Sequence, residues 1–105
     1  MARRGGYQGG MPSNMNNLMK QAQRMQAQMQ EKQKALETTE FKATSGGGAV
    51  SVTVMGDKSV KELIIAQEAV DPEDVETLQD LILAALNEAM KQIDEEAEKL
   101  LGGMM

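Results

Sequence analysis

The spacing of the apolar residues changes twice along the chain, and these changes constrain the fold more than any other feature of the sequence. From residue 14 to residue 36, apolar side chains recur at steps of three and four, which predicts a helix of about 22 residues. Between residues 38 and 65 the period falls to two, which predicts strands. From residue 71 the helical period returns for about 30 residues. The sequence therefore predicts an α+β fold in the order α-β-β-β-α.

The middle of the chain predicts a three-stranded antiparallel meander. Its strands cover residues 41–44, 50–54 and 60–65, where apolar side chains alternate with polar ones or form a short aliphatic run. Two glycine-containing turns, 45–48 and 56–59, are short enough for hairpins. The first turn lacks both the Lys-Ser ending and the following helix of a phosphate-binding loop, so we interpret it as a flexible hairpin turn.

Composition divides the chain into three segments. Residues 1–13 are rich in glycine and contain basic residues, which predicts a flexible basic tail. Residues 14–101 carry all of the periodic pattern and predict a single domain. Residues 102–105 begin with two glycines and predict a frayed C-terminal end.

The start of the second long helix is predicted from its capping residues. Asp71 suits the N-cap position and Pro72 the first helical position. The acidic clusters at residues 68–76 and 94–98 do not have the residue order of an EF-hand loop. We therefore attribute these clusters to helix capping and to solvation, and we predict no metal site.

The lengths of the predicted elements favour a homodimer. Helices of about 33 and 45 Å extend beyond a sheet that is only about 20 Å long, and the second helix has a broad apolar stripe. Such a stripe needs a second surface, most simply that of another copy of the chain. The residues predicted at this interface are Leu78, Leu81, Ile82, Ala85, Leu86 and Ala89. The alternative is a monomer in which the second helix folds back on the first.

The composition argues against an enzyme. The chain contains no His and no Cys, which excludes catalytic triads, thiol nucleophiles and the usual zinc sites. Most of its carboxylates fall on predicted exposed helix faces, which does not suit the paired acids of glycoside hydrolysis. We predict a non-enzymatic protein with no cofactor and no small-molecule substrate.

The net charge of −5 conceals a strong gradient along the chain. Residues 1–34 contain six basic side chains and one acidic one, whereas residues 68–105 contain eleven acidic and two basic ones. On the first helix, the face opposite the apolar seam includes Lys20, Gln23, Arg24 and Lys34. Such a face neutralises phosphates in nucleic-acid-binding proteins, while in other proteins it is an ordinary solvated surface.

Methionines recur on the apolar side of the first helix, at positions 15, 19, 25 and 29. Unbranched thioethers repack easily and suit an adaptable surface for a protein partner. Helical spacing of apolar residues is more often explained by core or helix–helix packing, and we prefer that interpretation.

No segment of the sequence predicts export or membrane insertion. Arg3 and Arg4 are followed by glycines and polar residues instead of an apolar stretch. The longest apolar run, Leu81 to Leu86, is about a third of a membrane span. We expect a soluble cytoplasmic protein without a membrane partner.

With these elements in place, the chain resembles the YbaB/EbfC family of small bacterial nucleoid-associated DNA-binding proteins. The resemblance extends from about residue 14 to about residue 101 and depends on the order and spacing of several short segments. These are residues 17–26, 45–48 before the strand at 50–54, 70–74, and 80–82 with Ala85, Asn87 and Ala89. The resemblance implies an α-β-β-β-α protomer, a homodimer with projecting helical arms, and DNA binding at the nucleoid.

The resemblance also suggests which residues contact DNA. It assigns phosphate contacts to Lys20, Arg24 and Lys34, assisted by Gln23 and by Arg3 and Arg4 of the tail. In some family members the last helix is basic and is thought to share the contact, whereas here its distal part is acidic at residues 94–98. Two other functions stay open: a protein-interaction adaptor associated with DNA repair or replication, and a structural dimer whose charge gradient only maintains solubility.

Overall fold

The predicted order of helices and strands is confirmed by the computed structural model, which describes the backbone of residues 2–102 and the side chains of residues 14–102. The elements are α1 (Ala2–Glu37), β1 (Glu40–Ser45), β2 (Val50–Met55), β3 (Val60–Ile65) and α2 (Val75–Leu101). The chain therefore has an α+β fold. The predicted tail at residues 1–13 and most of the predicted frayed end lie outside the residues whose side chains are described.

The chain consists of two compact units, residues 1–32 and residues 33–105. The first unit contains most of α1. The second contains the last turn of α1, the three strands and α2. All of the side chains that form the main hydrophobic core belong to the second unit.

Threonines and one glycine fix the C-terminal end of α1. The Thr39 hydroxyl donates a hydrogen bond to the Ala35 carbonyl oxygen at 2.6 Å, which satisfies a carbonyl that the helix leaves free. The Gly56 amide donates to the Thr39 carbonyl oxygen at 3.0 Å. A Cβ atom on Gly56 would lie only 1.7 Å from the Leu36 carbonyl oxygen. The approach of this turn to α1 therefore requires glycine.

The three strands form an antiparallel sheet in the order β1-β2-β3, as predicted. Ala43 lies opposite Val52, and Val50 lies opposite Ile65. The pairing of β2 with β3 is irregular near Val54, because Thr53 pairs with Glu62 whereas Val54 pairs with Val60. Lys61 is therefore an extra residue on β3, which makes a β-bulge at the start of this edge strand.

The two predicted hairpin turns are present and use left-handed backbone conformations. Gly46, Gly47 and Gly48 form a short 3₁₀ turn with positive φ at all three residues. In the second turn Lys58 has a φ of 72°. The Ser59 hydroxyl and amide both donate to the Asp57 carboxylate, and these hydrogen bonds lower the pKa of Asp57.

The core forms where α2 packs across β1 and β2. Val50, Val52 and Val54 of the central strand are at most 1% exposed. Their partners on α2 include Ala85 and Ala89, and both are completely buried. Small alanine side chains let a helix lie close to the sheet, and Ile93, Leu78, Leu81 and Ile82 complete the contact on either side.

The start of α2 differs from the prediction. Asp71 is not its N-cap: the Asp74 amide donates to the Asp71 carbonyl oxygen at 3.0 Å, so that residues 71–74 form a turn with Pro72 at its second position. The Asp71 carboxylate accepts the Glu73 amide instead. The N-cap is Asp74, whose carboxylate accepts from the Thr77 amide at 3.3 Å and from the Thr77 hydroxyl at 2.6 Å. Proline suits both the first position of a helix and the second position of a turn, so Pro72 did not show where α2 begins.

Candidate nucleic-acid interface

A basic face follows α1 along the part of the helix whose side chains are described. We define it by Lys20, Gln23, Arg24 and Lys34, the residues predicted from the sequence. At 100° per residue Lys20, Gln23 and Arg24 lie within an arc of about 100° around the helix axis, and Lys34 belongs to the second unit. All four side chains are exposed. Within the first unit, the helix therefore presents two cations and one amide on the same side.

The cations of the basic face are free to contact an external anion. Within residues 14–102 the salt bridges join Lys58 to Asp94 and Lys61 to Glu40, so none involves Lys20, Arg24 or Lys34. Lys20 and Arg24 are one helical turn apart, about 6 Å along the axis. Arginine and lysine in this arrangement can contact successive phosphates of one strand.

The two remaining residues of the predicted DNA site belong to the predicted tail, over which the helical backbone of α1 extends from Ala2. Arg3 and Arg4 lie outside the residues whose side chains are described, so their relation to the basic face stays a prediction. The described part of the site is therefore contained in α1 alone.

The other side of α1 carries what we call the methionine stripe: Met15, Met19, Met25 and Met29. These side chains are 53%, 57%, 50% and 39% exposed, and Leu18 beside them is 64% exposed. The stripe is therefore not part of the chain's own hydrophobic core, and that part of the sequence interpretation is wrong. Packing of the stripe against another helix stays a prediction.

The dimer interface predicted on α2 divides into two groups. Ala85 and Ala89 have no exposed surface, because they pack on the chain's own sheet. We therefore reassign both alanines from the interface to the protomer core. Partly exposed surface remains on the other four residues, which are Leu78, Leu81, Ile82 and Leu86. Periodicity located the stripe but did not indicate which of its residues the chain's own sheet covers.

An apolar surface that the sequence did not identify lies on β3. Val60, Leu63 and Ile64 are 49%, 44% and 53% exposed, although they belong to a largely aliphatic run. The reason is topological: α2 packs across β1 and β2, which leaves residues 60–64 of the edge strand β3 exposed, whereas Ile65 packs against the core. The other edge strand, β1, exposes the polar Lys42 and Thr44. A continuous apolar run is typical of a strand that is covered on both faces. The run on β3 was therefore the sequence signal that could have indicated an apolar surface in need of a partner.

The remaining candidate sites have simpler explanations. A cleft of about 330 Å³ beside the glycine-rich turn is lined by Gly46, Gly47, Gly48, Ala49, Ala66, Glu68 and Ala69. None of these side chains can donate a hydrogen bond to a phosphate. The acidic residues of α2 do not form a metal-binding cluster anywhere in the described part of the chain. None of the helices there has an apolar stretch of the length needed to cross a membrane.

Sequence comparisons connect this arrangement with known proteins. Residues 11–105 match the profile of the YbaB/EbfC DNA-binding family. A nucleoid-associated protein of Agathobacter rectalis is 58% identical over 108 aligned positions, which cover 99% of this chain and 96% of that protein. A nucleoid-associated protein of Clostridium acetobutylicum is 55% identical, over 96% of this chain and 94% of its own length.

A solved structure has a similar fold. The crystal structure of an uncharacterized protein from Helicobacter pylori superposes with a TM-score of 0.63 at 28% sequence identity. The match covers 84% of this chain and 99% of that one. The α-β-β-β-α arrangement is therefore shared with an experimentally determined protein of similar size.

Proposed function

Because the chain belongs to the YbaB/EbfC DNA-binding family, we propose that it is a nucleoid-associated protein that binds duplex DNA as a homodimer, mainly through phosphate contacts. The observation that carries this proposal is the exposed basic face of α1, whose cations take part in no salt bridge within residues 14–102. The matched family is described as DNA-binding and the relatives are named nucleoid-associated proteins, which confirms the prediction that the chain is not an enzyme.

The proposed contact is electrostatic and has little sequence preference. Lys20, Arg24 and Lys34 neutralise phosphates, and Gln23 donates hydrogen bonds to the DNA backbone or to base edges. Arg3 and Arg4 assist from the tail. Three cations from each protomer of a dimer give about six phosphate contacts, for which the salt dependence log K against log[salt] has a slope near −5. Such a protein acts at the nucleoid in the cytoplasm, in nucleoid organisation or gene regulation.

The acidic part of α2 is not included in the proposed contact. Asp94, Glu95 and Glu98 are exposed, and their charge repels phosphates. DNA is therefore expected to approach the basic face of α1 and to avoid the distal half of α2. This separation resolves the apparent conflict between a net charge of −5 and a polyanionic partner.

The proposed dimer uses the uncovered apolar surface of the sheet-containing unit. Val60, Leu63 and Ile64 on β3 and Leu83 on α2, which is 56% exposed, offer apolar surface that a second copy can bury. The partly exposed Leu78, Leu81, Ile82 and Leu86 contribute their remaining surface. An isologous contact of this kind gives a closed dimer with two basic faces.

Substitution of Ile64 tests this interface. Ile64→Glu places a charge in the apolar surface of β3 and is expected to shift the protein from dimer to monomer in sedimentation equilibrium at micromolar concentration. Thr44→Glu is the matched control, because Thr44 is exposed on the opposite, polar edge strand. A folded wild-type monomer at this concentration, or an equal effect of both substitutions, contradicts the proposed interface.

The DNA contact is tested by a pair of double substitutions that remove equal charge. Lys20→Ala with Arg24→Ala removes two cations from the basic face, whereas Lys91→Ala with Lys99→Ala removes two from α2. We measure the affinity for duplex DNA by fluorescence anisotropy in a salt series that starts at 50 mM. The α1 variant is expected to lose affinity and to flatten the salt slope from near −5 to near −2, since two of six contacts remain. The α2 variant is expected to retain a slope near −5.

Two outcomes contradict the proposal. Equal effects of the two double substitutions mean that net charge, and not the basic face, controls binding. Absence of binding by the wild type at 50 mM salt favours the adaptor function, for which the specific observation is the exposed methionine stripe. Deletion of residues 1–12 measures the share of Arg3 and Arg4 independently.

A further inference from the structure

We propose that the methionine stripe is a site of reversible oxidation by peroxides, and that its oxidation weakens DNA binding by destabilising the helix that carries the basic face. This inference rests on the proposed function, since it assumes that α1 contacts DNA. It concerns a covalent modification of Met15, Met19, Met25 and Met29, which lie on the opposite side of α1 from the proposed phosphate contacts.

Composition makes methionine the main target of oxidants in this chain. The sequence contains ten Met, no Cys and no Trp. Thiols, where present, compete for peroxide, but here there are none to do so. The thioether is therefore the most readily oxidised group that the protein offers.

Exposure selects the four methionines of the stripe from the six whose side chains are described. They are between 39% and 57% exposed, whereas Met55 on β2 and Met90 on α2 are only partly exposed and pack within the sheet-containing unit. Met90 contacts the hydrophobic core directly. Peroxide therefore reaches the stripe more easily than it reaches the other two thioethers.

The chemistry is a two-electron oxygen transfer. The sulfur lone pair attacks one peroxide oxygen, an S–O bond forms and the O–O bond breaks. The departing oxygen leaves as hydroxide and takes the proton from the oxygen now bound to sulfur, which gives the sulfoxide and water, so that sulfur is oxidised and the peroxide is reduced. Methionine sulfoxide reductases reverse the product, with one enzyme for each sulfoxide epimer.

The position of the sulfoxides on α1 explains why they affect the basic face. Met15 and Met19 are one helical turn apart, and so are Met25 and Met29, so each pair provides an apolar contact along the helix surface. Oxidation makes these side chains polar and removes both contacts. Lys20 and Arg24 lie between the two pairs in the sequence, and loss of helix there disperses their charges.

Mass spectrometry tests the selectivity of the reaction. Trypsin releases residues 25–32, which contain only Met25 and Met29, and residues 43–58, which contain only Met55. During a timed exposure to hydrogen peroxide, we expect each methionine of the first peptide to gain oxygen several times faster than Met55 of the second. Equal rates per methionine, or faster oxidation of Met55, overturn the proposed site.

The functional effect is tested with a variant in which the four methionines of the stripe are replaced by leucine. Leucine keeps the apolar contacts and the helix propensity but does not react. Peroxide is expected to lower the helicity of the wild type. Its DNA affinity should fall roughly threefold, because the two apolar contacts of the methionine stripe are lost. The leucine variant should keep both properties, although the other six methionines, Met1, Met11, Met55, Met90, Met104 and Met105, are retained in it.

Repair by the two reductases provides an independent measurement on the unaltered sequence. Treatment of the oxidised wild type with both reductases is expected to restore helicity and DNA affinity together. Unchanged DNA affinity of a wild type whose stripe is fully oxidised overturns the inference, and so does an equal loss in the leucine variant. Failure of the proposed function is recognised separately, because the reduced wild type then shows no binding that depends on Lys20 and Arg24.

Discussion

The two long helices of this chain differ in what they bury. Along α2, Ala85, Ala89 and Ile93 are at most 2% exposed, and they form the core together with residues of the central strand. Along the described part of α1, residues 14–37, only Leu36 is buried, and it lies in the last turns of the helix. One helix is therefore held by tertiary contacts, whereas the other presents most of its side chains to solvent.

This difference explains how one chain accommodates opposite charges. Acidic residues on the outer side of α2 remain solvated while the inner side fixes the fold. The side chains of α1 between residues 14 and 32 contribute little to the hydrophobic core and are available for contacts with a partner. The part of the chain that specifies the fold and the part that we propose to contact DNA are thus largely separate.

The largest expected effect comes from truncating equivalent aliphatic residues on the two helices. Ile93→Ala removes a side chain that is 2% exposed and leaves a cavity, and we expect a loss of about 3 kcal/mol in the free energy of unfolding. Leu18→Ala removes one that is 64% exposed and is expected to cost less than about 1 kcal/mol. Urea denaturation followed by circular dichroism measures both.

The result for Leu18 also bears on the dimer. A loss comparable to that of Ile93→Ala would contradict the contrast between the helices and would mean that α1 packs against a second copy. A concentration-dependent unfolding midpoint would identify that contact.

The sequence predicted the parts of the fold in which one physical requirement dominates. The change of period located all three strands, and the burial of Val50, Val52 and Val54 follows from their alternation. Periodicity failed where burial depends on topology. It placed Ala85 and Ala89 at an interface although the sheet of the same chain covers them, and it did not reveal that Leu63 on β3 is uncovered.

The candidate site was predicted only in part, for a different reason. Charge patterning predicted that Lys20, Gln23 and Arg24 share one exposed face, because helix geometry alone determines that arrangement. Lys34 is also exposed, in the second unit. Whether such a face is a binding site depends on a partner that neither periodicity nor charge identifies. The similarity to nucleoid-associated proteins supplies that information, and the residues themselves supply the test.

A smaller effect is expected from the capping residues that define where α2 begins. Asp74→Ala removes the carboxylate that accepts from the Thr77 amide and hydroxyl, and it is expected to lower the free energy of unfolding by about 1 kcal/mol. Asp71→Ala removes a hydrogen bond in the preceding turn and should cost less. A larger loss for Asp71→Ala than for Asp74→Ala would place the start of α2 at Asp71, as the sequence pattern and the position of Pro72 predicted.

The smallest effect concerns surface charge in the sheet-containing unit. The Lys61 ammonium donates a hydrogen bond to the Glu40 carboxylate at 2.6 Å, and this contact lowers the pKa of Glu40 and raises the pKa of Lys61. Because the folded pKa of Glu40 lies below its unfolded value near 4.5, its contribution to stability is present above that value and is lost as the pH falls through the folded pKa. The contribution of Lys61 is complete below its unfolded value near 10.5 and disappears only as the pH rises through its higher folded pKa.

Glu40→Gln is therefore expected to lower the melting temperature slightly at pH 7, and the difference from the wild type should shrink as the pH is lowered toward 3. The effect is small because both side chains are well exposed to water, which screens their attraction. Glu68→Gln, at an exposed carboxylate that forms no salt bridge within the described residues, serves as the control and should show no such trend. A difference for Glu40→Gln that stays constant with pH would mean that this side chain contributes through packing and not through its charge.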